Sequence, residues 1–347
     1  MKLWFHRPRC GQRSATSAVA SSTDIPFSRA SQPRGTLRDR GVDVGMTILP
    51  WAHLTIDPAV SAVKSLAWLN THLPISGADP VPPRESRVRV YVTVARTWRK
   101  LPDWPSATTD RTWFLASDGR LQDHPPAQAS ATTFRYDPMD PTPSVGGRVL
   151  ARGAGPRDNT ELEARDDVRS FTTPPLRKPV EVRVRLFVES DNPYADVFVR
   201  LCDVGLNGKS VNITDRLVRL DPAPGEEPVK GERVVETTLP DTAQHFRAGG
   251  GSGCRSPAVP IRRYARNLGT GEPVGQSSHG LPTHHRISHG GAAPSLITLP
   301  LADRPGDKST NRPQAPFWSQ PRGTPLAPTA LNRFRFVAWG RGQALHG

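Results

Sequence analysis

The stretch DVFVRLCDVGLNGKSVNITD, residues 196–215, decides the fold. Two apolar-alternating runs, DVFVRLCDV and SVNITDRLVRL, flank LNGK. The pair Asn207-Gly208 at its centre suits a tight hairpin turn, whose central residues need positive φ. A hairpin needs further strands to be stable, and the chain supplies them. In VEVRVRLFV (180–188), Val180, Val182, Val184, Leu186 and Val188 alternate with Glu181, Arg183 and Arg185. In RVRVYVTV (87–94), Val88, Val90, Val92 and Val94 oppose Arg87, Arg89 and Tyr91. ERVVETTL (232–239) and SLITLPL (295–301) read as two more strands. Period-two runs with one polar face, broken by Pro, Gly and Asp turns, predict an antiparallel sandwich or jelly roll. A parallel sheet buried on both faces fits less well.

Upstream the period is helical. MTILP (46–50) reads as the end of a buried strand, and DPAVSAVKSLAWLNTHLP (57–74) is the best helix in the chain. Asp57 suits the N-cap and Pro58 the first helical position. Val60, Val63 and Ala67, with Leu66, Leu69 and Leu73, recur at helical spacing, and Pro74 ends the run.

The chain has 347 residues and a net charge of +14. That charge is concentrated at the two ends: residues 1–44 and residues 302–347 each carry +5, which leaves the long middle near balance. The end segments set Arg among Pro, Gly, Ala and Ser, so both are expected to be disordered tails. Without aromatic residues interleaved along a basic groove, nucleic-acid binding is not expected. No apolar run approaches the 18 residues of a membrane span, and MKLWFHRPRCGQRS lacks the apolar core of a signal peptide. Cys10, Cys202 and Cys254 form neither a disulfide framework nor a zinc site. These features predict a cytoplasmic protein without membrane partners. The expected organisation is a basic tail at 1–44, the end of an α/β domain at 45–80, a jelly roll at 85–302 and a Pro/Arg-rich tail at 303–347. The class is mostly β.

ILPWAHL (48–54) places His53 behind a Pro-Trp pair, and histidine is the usual general base of serine hydrolases. Its nucleophile is not in sight. The sequence contains no G-x-S-x-G elbow: GGSGC (250–254) and GQSSH (275–279) lack the last Gly, and Ser252 lies downstream of His53. Asp24 precedes His53 by a plausible distance, but nothing in SSTDIPF supports its assignment as the acid. His279, His284, His285 and His289 cluster in HGLPTHHRISH; Pro282 and Gly290-Gly291 disfavour the helix that an i, i+4 metal pair at His285 and His289 would need. No metal or other cofactor is expected. Trp98, Trp104 and Trp113 are expected to be packing anchors. Asp196, Asp203 and Asp215 are expected to serve turns and strand ends. GTGEPVG (269–275) has no following helix to bind phosphate.

Seven motifs in order resemble one family. They are LPWAH (49–53), VYVTVARTWRKLPDWP (90–105), FLASDGRL (114–121), YDPMDPTPSVGG (136–147), ARDDV (164–168), the hairpin at 196–215 and RYARNLGTGEPVG (263–275). Together they are similar to the C-terminal part of the CocE/NonD serine hydrolases, which share a C-terminal domain with the Xaa-Pro dipeptidyl-peptidases. The resemblance covers residues 46–301. It implies a galactose-binding-like jelly roll, with the helix at 57–73 as the last of an α/β-hydrolase domain, and His53 as the general base. It also implies hydrolysis of a small ester or peptide through an acyl-serine intermediate. In α/β-hydrolases the histidine is the last triad member along the chain, so the nucleophile, the acid and the oxyanion hole are expected outside these residues. The chain by itself is then expected to be inactive, either a truncated hydrolase or one half of a split one. A stand-alone β-sandwich binding module is the competing reading. The resemblance further implies an alternating strand after FRAG (246–249), which residues 248–262 do not supply; a local reading-frame slip would account for it.

Overall fold

The computed structural model of the chain describes residues 15–21, 37, 39–49, 58–73, 85–92, 97–104, 108–149, 153–173, 182–205, 207–223, 225–240, 264–273, 275–302 and 333–339. Strand dominates, as the alternating runs predict. His53 and the segment 248–262 both fall outside the described residues.

The first layer is a four-stranded sheet in the order β1-β2-β3-β4. It contains β1 (Ala15–Ser21), β2 (Asp43–Leu49), β3 (Val88–Val92) and β4 (Thr97–Leu101). The first three strands run parallel, and β4 returns antiparallel. Helix α1 (Pro58–His72) connects β2 to β3, because parallel neighbours need a crossover. Met46, Ile48, Val88, Val90, Leu101 and Trp104 make its core.

The second and third layers are the sandwich. Its larger sheet contains β5 (Thr108–Leu115), β6 (Leu121–Gln122), β7 (Ser130–Tyr136), β9 (Val182–Ser190), β12 (Gly231–Leu239), β13 (Thr283–His289) and β14 (Leu296–Ala302). Its smaller sheet runs β11-β10-β15-β8. These are β8 (Val168–Thr172), β10 (Asp196–Val204), β11 (Ser210–Arg219) and β15 (Arg333–Trp339). Every ladder in both sheets is antiparallel. The inward faces follow from period two: Val184, Leu186 and Val188 of β9 meet Val197, Val199 and Leu201 of β10 in one core cluster. Each such side chain contributes about 1.5–3 kcal/mol on burial. The turn between β10 and β11 carries Gly208 at φ +78°, as Asn-Gly predicts. The single turn α2 (Thr160–Glu163) packs on β8, and the outward side of β10 is covered where Arg200 meets Val145 and Asn159 and where Phe198 meets Tyr264, which is why β10 is buried on both sides.

Three expectations need correction. Residues 88–101, expected inside the jelly roll, pair with β2 instead, because Val88 and Val90 complete the apolar face begun by Met46 and Ile48. The tail expected at 1–44 contains β1. The tail expected at 303–347 contains β15, whose Phe336, Val337 and Ala338 are buried in the sandwich. RFRFVAW is a short alternating run hidden by Pro/Arg-rich surroundings, and seven residues suffice for a strand.

Candidate functional site

The chain leaves β2 at Leu49 and is described again from Pro58, so His53 lies between the C-terminal end of a parallel strand and the start of α1, outside the described residues. The ends of parallel strands are where open α/β sheets place their chemistry.

Helix α1 faces the wrong way for a helix on its own. Its half-buried positions are Ser61, Lys64, Ser65, Trp68 and His72, whose spacing puts them on one side. Lys64 lies over the Trp98 ring, 5.7 Å from the centroid, and Arg89 approaches the same ring at 5.0 Å. Burial, helped by Arg89, pushes the Lys64 amine below its ordinary value. The apolar stripe points away. Val63, Leu66, Leu69 and Leu73 are 66%, 57%, 36% and 69% exposed. A surface helix ordinarily turns such a stripe toward its core.

Within the sandwich the chemistry-bearing side chains are locked into structure. Arg200 of β10 is fully buried. Its guanidinium donates to Asp215 Oδ2 at 2.9 Å, Asn159 Oδ1 at 2.6 Å and the Val145 carbonyl at 2.7 Å. Asn212 continues the network, donating to the Gly155 carbonyl and accepting from the Arg157 amide. Gly147, at φ +81°, lets the 145–157 loop approach: a Cβ there would lie 2.7 Å from Asp215 Oδ2. Asp196 takes two bonds from Arg219, at 2.9 and 3.1 Å. Asp196 does stand at a strand end, the first residue of β10, while Asp215 lies inside β11; both are buried partners of arginines, because their faces are covered by the 145–157 loop and by Asn267. Glu163 of α2 is another buried acid, its side chain 4% exposed, accepting from Ser210 Oγ and from Arg335 Nη1 of β15, the latter at 2.6 Å.

The histidine cluster is a strand, β13, so same-face residues four apart stand roughly 13 Å from each other. His285 and His289 are buried separately: His285 Nδ1 contacts Ser190 Oγ at 2.9 Å, and His289 Nε2 contacts Thr132 Oγ1 at 2.8 Å. Burial holds both imidazoles down to about 4. Ser190 and His285 form a Ser-His contact, but each is 1% exposed, so no substrate reaches it. Among the described residues no group of His, Cys, Asp and Glu could hold a metal ion. A cavity beside Arg219, Asp221, Arg266 and Asn267 measures about 40 Å³, room for a few waters only. No helix among the described residues is long and apolar enough to cross a membrane. Trp104 and Trp113 are buried, and Trp98 packs edge-on to Tyr91, as anchors do. Sequence reading missed Arg200, Glu163 and Arg335; an Arg in an otherwise apolar alternating strand was the available signal for the first.

A two-sheet antiparallel sandwich with its polar groups buried in structural networks, following a parallel sheet with an outward-facing helix, defines a β-sandwich domain appended to an α/β sheet. Comparison with known proteins agrees. Residues 81–298 match the X-Pro dipeptidyl-peptidase C-terminal non-catalytic domain, and the chain belongs to that family as a CocE/NonD-type C-terminal domain. It is 30% identical over 241 residues to cocaine esterase from Rhodococcus sp. (strain MB1 Bresler), covering 63% of this chain and 42% of the esterase. It is 28% identical over 155 residues to a putative serine esterase of Mycobacterium bovis, covering 42% of this chain and 24% of that protein. The fold matches an aminopeptidase of a marine-sediment Thaumarchaeota archaeon, with a TM-score of 0.65, 18% identity, and coverage of 83% of this chain and 54% of that one. It also matches an α-amino acid ester hydrolase, with a TM-score of 0.59, 19% identity, and coverage of 81% and 54%. The chain thus spans 42% and 24% of the length of the two esterases and 54% of each matched structure.

Proposed function

We infer that this chain is the C-terminal part of a CocE/NonD-type serine hydrolase, acting on a small ester or peptide through an acyl-serine intermediate. His53 is the general base in this reading. An α/β-hydrolase half supplies the serine, the acid and the oxyanion hole, since acyl transfer needs all of them within reach of one another. The chain alone does not turn over. The observation that carries the reading is the outward apolar stripe of α1, which needs a cover. The hydrolase half, the part of the relatives that this chain does not span, fits that place.

The test is hydrolysis of a chromogenic ester and of a dipeptidyl-proline amide. The chain alone should match buffer, and the chain mixed with an α/β-hydrolase half bearing a nucleophile elbow should turn over. His53→Ala should then lower the rate by about 10⁴-fold or more. Leu66→Glu with Leu73→Glu should prevent association of the two halves. Turnover by the chain alone, or unchanged association of the double variant, would overturn the reading.

A further inference from the structure

The centre of the smaller sheet is made by residues that do not belong to the family domain. The family match ends at residue 298, yet β15 (Arg333–Trp339) lies between β10 and β8. All seven of its residues pair with β10, from Phe198↔Trp339 to Val204↔Arg333, and five pair with β8. Phe336 lies between Leu201 and Phe171 in register, and all three are in the core. Arg335 adds a charge match: it bonds Thr172 Oγ1 at 3.0 Å and supplies the cation for buried Glu163. Without β15, two strand edges would face each other across an open slot lined by Leu201 and Phe171, with a buried carboxylate at one end. Such edges recruit another strand.

We propose that β15 is a complementing strand: the slot holds the chain's own C-terminal segment by non-covalent pairing alone, and takes the same segment offered as a separate peptide. The slot's partners are β8, β10 and Glu163, all upstream of residue 303. The only covalent link to them is residues 303–332, a 30-residue connection with a reach of roughly 100 Å at full extension. An identical strand from a second copy meets an identical slot, so the two arrangements differ only in how the strand is tethered. A covalent connection makes seating of the chain's own strand intramolecular, which favours it over any second copy in dilute solution. The chain's own strand therefore holds the slot in dilute solution. Once the connection is cut, the same segment supplied as a peptide competes for the slot on equal terms. The partner is specific in chemistry: an antiparallel strand with Arg at the Glu163 end, followed by Phe, Val and Ala.

The test uses the full chain with a site-specific protease sequence inserted at Gly323 and cleaved after folding. The C-terminal piece should stay with the body on gel filtration, and a fluorescein-labelled peptide of residues 331–341 should replace it. The same peptide with Phe336→Asp should be taken up at least tenfold less. Release of the piece with no change in the body's melting midpoint would overturn the proposal. So would a retained piece that the labelled peptide never displaces, even in dilute urea. A second readout needs no cleavage. Ala338→Pro in the intact chain removes a ladder N–H from a central strand and should lower the melting midpoint by about 5 °C or more. An unchanged midpoint would also overturn the proposal.

Discussion

Arg200 and Asp215 show how a sandwich carries a charge pair in its interior. Both side chains are nearly inaccessible, and the guanidinium holds the 145–157 loop to the hairpin as well as pairing with the acid. Removing one partner strands the other, so Asp215→Ala should destabilise the chain by about 3–5 kcal/mol. The volume-matched apolar double change Arg200→Met with Asp215→Leu should recover much of that loss, read from urea unfolding midpoints. His285 makes a second prediction, about pH. The unfolded ring takes its proton near its ordinary value of 6.5, whereas the native ring resists until about 4. The unfolded state therefore binds more protons between these values. Stability is complete above pH 6.5 and falls as pH drops toward 4, by about 3 kcal/mol for this residue. His285→Asn should flatten that part of the stability-pH curve. Neither role was legible in the sequence. An arginine in DVFVRLCDV looks like any outward polar residue until the loop that covers it is known, and a histidine in a strand does not announce its neighbours.

At the level of elements, legibility depended on pattern length and purity. β9, β10, β11 and β12 each alternate over nine or ten residues, and the structure has them where the alternation predicts. The hairpin turn followed from two residues. α1 also followed from its spacing, but periodicity reports a stripe without saying which side is covered, so its orientation had to come from the structure. β1 and β15 escaped because each is a seven-residue run inside a long stretch of opposite composition. The elements also differ in what substitution should do. Leu186→Ala, in the middle of β9 and fully buried, should cost about 2–5 kcal/mol. Leu66→Glu and Leu73→Glu on α1 should leave the isolated chain's unfolding midpoint within about 0.5 kcal/mol, because those side chains already face water. Chemical denaturation of the three variants side by side would check the contrast.

For the whole molecule, the class and the family were legible, since seven short motifs in order constrain far more than any one of them. The candidate site was legible only as His53 and its surroundings, because this sequence holds no nucleophile elbow to go with them. The completing strand of the smaller sheet is joined to its slot by a long connection, and this has a practical consequence at Cys202. That thiol sits on β10 opposite Arg335, completely buried, and desolvation together with the Glu163 charge pushes its pKa well up. It is therefore inert while β15 is seated. In a Cys10→Ser, Cys254→Ser background, the rate at which a thiol reagent labels Cys202 becomes a stopwatch for the sheet, counting how often the seam beside it comes undone.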